Sequence, residues 1–267
     1  RRHRRVEMTK RWLRPVGAFV LGATALGMAG AGNGGAWAQT SQATAAATAP
    51  ATTPAFAQAS TWRYRVSTAY FASSIARAQM QFQPTAAQGY SASLTVSVAG
   101  QNLLQMQTTG KRTGAGQAAQ LVPASFSERV MGGRKEVRQE KGEAFFPEKK
   151  LRFKLPAVAT DSVSIHYQLQ QWLASGALPA KAGSYRDVWL MRPEGIFHWR
   201  YAVQGMETLD IEGLGKVPAL RILPQPLGKG TAKSELWFAP SLGWAPVRIK
   251  MQLLDQTWVE MNWLSAK

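Results

Sequence analysis

The sequence lacks cysteine altogether and contains only three histidines in 267 residues. Without cysteine the chain has no disulfide, no thiolate metal site, no thiol nucleophile and no cysteine to carry a lipid anchor. Only His166 and His198 follow the first 60 residues, and they fall on different predicted elements. The H-E-x-x-H, G-x-x-x-x-G-K-[ST] and G-x-S-x-G motifs are also absent. We therefore expect no cofactor, no metal site and no catalytic residues.

The first 38 residues have the organisation of an export signal. Seven arginines and lysines precede residue 15, an apolar stretch follows, and Ala36 and Ala38 form a small-x-small cleavage site before Gln39. The apolar stretch is rich in Gly and Ala. It is shorter than the roughly 20 strongly apolar residues of a membrane anchor, which is the alternative interpretation. The pattern therefore predicts a cleaved signal peptide over residues 1–38 and a location in the periplasm.

Composition divides the rest of the chain in two. Residues 39–60 are almost entirely Ala, Thr, Gln, Ser and Pro and show no apolar period, which predicts a flexible linker. At Trp62 the composition changes abruptly to one rich in aromatic and aliphatic residues. One folded domain is therefore expected over residues 61–267.

Apolar residues recur at every second position through much of this domain. The alternation is clearest over residues 62–68, 151–155, 197–203, 247–253 and 259–263. Because successive strand side chains point to opposite faces, each segment has one apolar and one polar face, which is typical of antiparallel sheets. Gly132-Gly133 predicts a hairpin, and Gly110 is interpreted as another turn.

One segment breaks the alternation and predicts a helix. Asp161 is a candidate cap, apolar residues such as Val163, Tyr167 and Leu173 follow, and Gly176 marks the end. A meander of about ten strands must protect its edges, and curling is the usual solution. The sequence therefore predicts a mostly β fold: an antiparallel meander curled into an unclosed or partial β-barrel with one short helix over its opening.

Large apolar side chains on these strands form the first candidate site. Eight of them are predicted to share the apolar face: Trp62, Tyr64, Phe197, Trp199, Tyr201, Trp237, Met251 and Trp263. In a small barrel such side chains fill the core. In a wider or unclosed barrel they line a groove for a lipid, an acylated protein or a peptide. The sequence leaves both interpretations open.

A basic segment over residues 134–154 forms the second candidate site. It contains eight basic and four acidic residues. The basic residues proposed for binding are Arg134, Lys135, Arg138, Lys149, Lys150, Arg152 and Lys154. Interleaved charges are typical of a solvated hairpin that resists edge pairing. The same charges attract an anionic membrane surface.

The whole chain is basic, which bears on its partners. It carries 32 basic and 15 acidic residues, and removing the leader's seven basic and one acidic residues leaves a net charge of +11. Such a charge favours polyanions as partners. Because an exported chain leaves the cytoplasm, we expect envelope polyanions and no nucleic acid.

Two sets of polar residues invite catalytic interpretations. Asp161, Ser162 and His166 have the composition of a triad, but helix capping explains the first two. Glu207, Asp210 and Glu212 supply carboxylates for acid–base or Ca²⁺ chemistry, although their spacing fits no loop motif. A solvated strand face explains the carboxylates better. A hydrolase therefore ranks last among the functions considered.

Several segments resemble one known family. They are Val203–Leu209, Pro218–Ile222, Glu235–Pro240, Ala245–Ile249 and Asp161–Leu169. Together they resemble the domain of unknown function 3108 family of proteobacterial periplasmic proteins, over about residues 61–267. The resemblance implies an unclosed antiparallel barrel wrapped near a helix, similar in outline to periplasmic lipoprotein carriers. It implies no catalytic residues.

The function expected from the sequence is non-enzymatic. We expect an exported envelope protein that binds an apolar or acylated ligand in a barrel groove. The alternative is a structural or interaction protein that docks on the envelope or a partner through the basic hairpin.

Overall fold

The computed structural model describes residues 56, 58–69, 73–130, 132–228, 233–252 and 258–266. The predicted signal peptide, with its cleavage site at Ala36, Ala38 and Gln39, lies outside the described residues. Two residues of the predicted 39–60 linker have contacts within the described fold. Phe56 is buried with its ring centroid 6.0 Å from that of Phe82, and Ser60 begins the first strand.

Strands dominate the described part of the chain because apolar and polar residues alternate along it. The strands there are β1 (Ser60–Thr68), β2 (Ala76–Pro84), β3 (Gly89–Val98), β4 (Gln101–Thr113), β5 (Gln120–Val130), β6 (Gly133–Glu140), β7 (Glu143–Phe146), β8 (Leu151–Lys154), β9 (Ala159–Asp161), β10 (Tyr185–Arg192), β11 (Gly195–Ile211), β12 (Gly215–Pro226), β13 (Ser234–Ala239), β14 (Ala245–Gln252) and β15 (Trp258–Ala266). Within the same described residues, two short 3₁₀ helices cover Gly116–Ala118 and Pro240–Leu242.

All of these strands belong to one sheet. Its order is β8-β7-β6-β5-β4-β3-β2-β1-β15-β14-β13-β12-β11-β10-β9, and each pair is antiparallel except β9 with β10. The prediction of a mostly β, unclosed antiparallel fold with one helix is confirmed. The predicted number of about ten strands is too low, since the described residues form fifteen. Short strands such as β7 and β9 are too brief to show a clear period.

Gly110 is not a turn residue. It lies inside β4, where the register with β5 shifts between Thr109 and Gly110. A Cβ at this position would lie 2.3 Å from the carbonyl oxygen of Val122. Glycine is therefore required here by the close approach of two backbones at a β-bulge.

The α-helix α1 (Ser164–Ser175) has the predicted position. At its start, Asp161 Oδ1 accepts hydrogen bonds from the backbone N–H groups of Val163 and Ser164, at 2.7 and 2.8 Å. These donors have no partner within the helix, so a carboxylate satisfies them. The helix ends at Gly176, which takes a left-handed conformation with φ 75°.

The helix fills the space inside the curled sheet. Its Tyr167 ring stacks on Trp62 of β1 at 4.4 Å and lies 5.0 Å from Phe82 of β2. The next residue, Gln168, accepts a hydrogen bond from Leu121 N and donates one to Ala119 O. The inner face of the sheet and the buried face of α1 thus form one core. Among the described residues, no helix is long and apolar enough to cross a bilayer.

The sheet does not close because its two ends pass each other. The end strands β8 and β9 are not paired with one another; instead β9 contacts β5, and β6 contacts β10. Strands β6–β8, which we call the flap, therefore overlap the end formed by β9–β11. Lys149, in the β7–β8 turn, joins the two ends by donating to the carbonyl oxygens of Pro193 and Glu194, at 3.3 and 3.2 Å.

Candidate functional site: a groove where the sheet ends overlap

The aromatic residues predicted to line a groove mostly belong to the packed core. Trp62, Tyr64, Trp199, Tyr201 and Trp263 are buried, while Phe197 and Met251 are partly buried against the same cluster. Tyr64 packs edge-on against Trp263 at 6.1 Å, and its hydroxyl donates to Pro246 O at 2.9 Å. These side chains fill the space between sheet and helix. Of the two interpretations of the sequence, they therefore fit the one in which they form the core.

Trp237 is buried as well, but it lies on the other face of the sheet. Its neighbours Leu236 and Phe238 point into the core, so alternation turns Trp237 outwards. There the guanidinium groups of Arg221 and Arg248 cover its ring at 5.7 and 5.6 Å. Its indole N–H donates to Glu207 Oε2 at 2.9 Å. The prediction that Trp237 shares the apolar inner face is therefore corrected.

An apolar groove does exist, at the overlap of the sheet ends. It has a volume of about 710 Å³. Its walls are formed by Phe146, Lys149, Leu151, Phe153, Lys154, Leu155, Pro156, Trp189, Glu194, Gly195 and Ile196. Ligand pockets in proteins commonly occupy roughly 300–1,000 Å³ and are lined mainly by apolar side chains with a few polar groups. This groove has that size and that composition.

The flap provides one wall of the groove. Leu151 lies opposite Phe146 and Phe153 opposite Ala144, so these four side chains share the inner face of the β7–β8 pair. Phe146 and Ala144 are buried, but Leu151 and Phe153 are 46% and 50% exposed. The cause is that β8 is an end strand whose inner face nothing in the described part of the chain covers.

The hairpin of β10 and β11 provides the other wall. Val188 and Leu190 point into the core, so Trp189 points to the opposite face, where its ring stacks on His198 at 4.4 Å. Ile196 lines the same wall. The sequence carried a signal for this wall, since Val188–Met191 is a run of four apolar residues. Such a run indicates a strand covered on both faces.

Charged residues lie at the rim of the groove. The Lys149 ammonium lies 5.6 Å from the ring centroid of Phe146, in addition to its two carbonyl contacts. Lys154 stands at the far end of β8. Glu194 also lines the groove, and it pairs with Arg192 at 3.5 Å.

The basic segment predicted for binding lies on the flap, and its seven basic residues are exposed. Arg134 and Arg138 both pair with Glu136, and Arg152 pairs with Glu140 and Glu143. Among the described residues neither Lys150 nor Lys154 forms an ion pair. The basic segment and the apolar groove, predicted as separate sites, thus share the β7–β8 hairpin.

The candidate catalytic residues are engaged in structural contacts. Glu207 contacts Arg221 and Trp237, Glu212 forms a bidentate pair with Arg65, and Asp210 is exposed. Within the described ranges, no group of three or more Asp, Glu, His or Cys side chains is placed to hold a metal ion.

Asp161 and His166 also have structural surroundings. Asp161 is fully buried and accepts hydrogen bonds from Thr108 and Ser164 hydroxyls at 2.8 and 2.7 Å. Burial raises the pKa of Asp161, while its hydrogen-bond donors act in the opposite direction. Burial lowers the pKa of His166 to about 4. A neutral imidazole at the start of α1 and a carboxylate that satisfies helix donors fit a structural role.

Comparison with known proteins places the fold in a family. The model of a protein family of unknown function, DUF3108, matches residues 63–262. The chain belongs to the DUF3108 family. The match covers the described sheet from β1 to β15, so the resemblance noted in the sequence is confirmed.

Among solved structures, one similarity is to a beta-barrel-like protein of the DUF1849 family from Brucella abortus. The two share 14% identity and a TM-score of 0.48, with 78% of this chain and 97% of that chain covered. No curated protein matches the DUF3108 chain.

Proposed function

We propose that this DUF3108 protein is an exported, non-enzymatic envelope protein that binds an apolar or acylated ligand in the groove between flap and β10–β11 hairpin. The observation that carries the proposal is the apolar groove of about 710 Å³ with Leu151 and Phe153 half exposed on one wall. A folded protein seldom leaves such side chains adjacent and uncovered unless something else covers them.

The leader supports the compartment in this proposal. A basic segment, an apolar stretch and the Ala36-Trp37-Ala38 site are the parts of a cleaved secretory signal. Acyl chains and acylated proteins are abundant at an envelope. A soluble carrier there needs a surface that shields a chain from water, which the two apolar walls provide.

A matched pair of substitutions tests the groove. Leu151 and Leu214 are exposed to nearly the same extent, 46% and 47%, but Leu214 lies in the turn between β11 and β12, away from the groove. We expect Leu151→Asp to weaken binding of a fluorescent acyl probe about tenfold or more, because it removes apolar contact and buries a carboxylate. Leu214→Asp should leave the affinity unchanged.

The controls decide what a loss of binding means. Both variants should unfold at the same denaturant concentration as the wild type, since both sites are exposed. Equal affinities for the wild type and Leu151→Asp would refute the groove as the binding site.

A second function has its own supporting observation. Lys150 and Lys154 are exposed, and within the described residues they have no carboxylate partner. Docking of the flap on an anionic membrane would use them. Lys150→Gln with Lys154→Gln should then abolish co-sedimentation with phosphatidylglycerol vesicles, while Lys111→Gln with Lys216→Gln should not. Equal sedimentation of the two double variants would reject this docking.

A further inference from the structure

We propose that the ligand of the groove is an anionic amphiphile, with its chain on the apolar walls and a carboxylate or phosphate head group on the lysines at the rim. This inference rests on the proposed function and adds to it the charge of the ligand. It follows from the positions and the partners of Lys149 and Lys154.

Lys149 presents a positive charge that no carboxylate among the described residues pairs with. Its ammonium donates to the carbonyl oxygens of Pro193 and Glu194 and lies over the Phe146 ring. These contacts hold the side chain at the groove, yet all of them are to uncharged groups. A held ammonium loses less conformational entropy on binding an anion than a free one.

Lys154, the last residue of β8, lines the groove at its other end, although alternation turns its side chain to the face of β8 opposite Leu151 and Phe153. It lies opposite Glu143 in the strand register, but Glu143 pairs with Arg152, at 3.7 Å. Leu151 and Phe153 stand between the two lysines along β8. Positive charge therefore flanks the apolar wall at both of its ends, where it attracts an anionic head group and repels a cationic one.

The carboxylate at the groove does not cancel this charge. Among the described lining residues Glu194 is the acidic one, and its side chain pairs with Arg192 at 3.5 Å. The lining therefore carries two lysines against one carboxylate that already has a partner. Contacts between exposed charges are individually weak, so two lysines should favour an anionic over a neutral head group about tenfold.

Calorimetric titration with 12-carbon ligands tests the inference. The probes are dodecanoate, dodecyl phosphate, the neutral glycerol monoester of dodecanoic acid and inorganic phosphate, each below its critical micelle concentration where it has one. We expect both anionic amphiphiles to bind about tenfold tighter than the neutral ester. Inorganic phosphate should not compete, because it lacks the chain. Higher salt should reduce the affinity difference between the anionic amphiphiles and the neutral ester, because dissolved ions screen the lysine charges.

Substitutions of single lysines test which of them contacts the head group of the ligand. Lys149→Met and Lys154→Met should each reduce the preference for the anionic ligands severalfold while leaving affinity for the neutral ester nearly unchanged. Lys111→Met, at an exposed lysine on β4, should leave the preference as it is. Lys149→Met also removes a contact between the two sheet ends, so it can change the shape of the groove. Lys154→Met leaves that contact in place and therefore tests the charge alone.

The outcomes separate this inference from the proposed function. Equal binding of neutral and anionic amphiphiles, lost together in Leu151→Asp, would overturn the charge preference and keep the groove. Inorganic phosphate that displaces dodecyl phosphate would also overturn it, because the site would then be a free-anion site. Failure of every 12-carbon ligand to bind would overturn both.

Discussion

At the scale of single residues, two buried tyrosines differ in whether the hydroxyl has a partner. Tyr64 Oη donates to Pro246 O, whereas Tyr167 Oη is buried without a hydrogen-bond partner among the described residues. Removing a partnered hydroxyl leaves a buried carbonyl unsatisfied, at a cost of about 1–2 kcal/mol. Tyr64→Phe should therefore destabilise the fold by that amount.

The same change at Tyr167 should act in the opposite direction. A buried polar group without a partner lowers stability, so Tyr167→Phe should leave the free energy of unfolding unchanged or raise it by up to about 1 kcal/mol. Urea denaturation of both variants measures the difference. Equal destabilisation by the two substitutions would contradict the hydrogen-bond assignment.

The carboxylate of Asp161 makes stability depend on pH. Since its pKa is raised in the folded state, the folded protein holds the proton to higher pH than the unfolded chain. Its contribution to stability is therefore greatest at low pH and falls as the pH rises from the ordinary aspartate pKa through the raised one. Relative to Asp161→Asn, which does not titrate, the wild type should lose stability across that window.

The hydrogen bonds of Asp161 predict a second difference. Asp161→Asn keeps an oxygen for the N–H groups of Val163 and Ser164, but Asp161→Ala leaves both without their acceptor. We expect the alanine variant to lose about 3 kcal/mol or more at pH 7. Urea denaturation at several pH values checks both expectations. A wild type that gains stability over the asparagine variant as pH rises would refute the raised pKa.

At the scale of elements, β8 is the strand of the described sheet that we expect to open most readily. It has four residues, all exposed, and pairs with β7 at an end of the sheet. Short end strands open at low free-energy cost, so their amides exchange early. We expect a bound acyl ligand to slow hydrogen exchange in β8 while leaving β3 and β4, several strands away, unchanged. Uniform slowing across the sheet, or none in β8, would contradict binding between flap and hairpin.

Strands and helix could be predicted wherever local pattern decides them. The alternation in β1, β11, β14 and β15 reflects one buried face, and Asp161 and Gly176 mark α1 because its termini need an acceptor and a left-handed residue. Trp237 was placed on the wrong face because it stands in a run of four apolar residues, Leu236–Ala239. There, alternation alone does not fix which side faces the core.

At the scale of the whole molecule, the groove depends on how the sheet ends meet. Leu151 and Phe153 have the same alternation as core residues, and only the end position of β8 leaves them exposed. Trp189 lines the opposite wall because the flap passes over the outer face of β10. Both facts are set by contacts between residues more than thirty positions apart, which local periodicity does not encode. Hence the sequence predicted an apolar groove but assigned it to core residues.

Native mass spectrometry with organic extraction tests the proposed ligand most directly. The measurement uses the protein purified gently from a Gram-negative periplasm, beside Leu151→Asp and Leu214→Asp prepared in the same way. We predict a stoichiometric anionic acyl species on the wild type and on Leu214→Asp, and its loss from Leu151→Asp. A ligand-free mass for the wild type, or the same bound species on all three, would contradict binding in the groove.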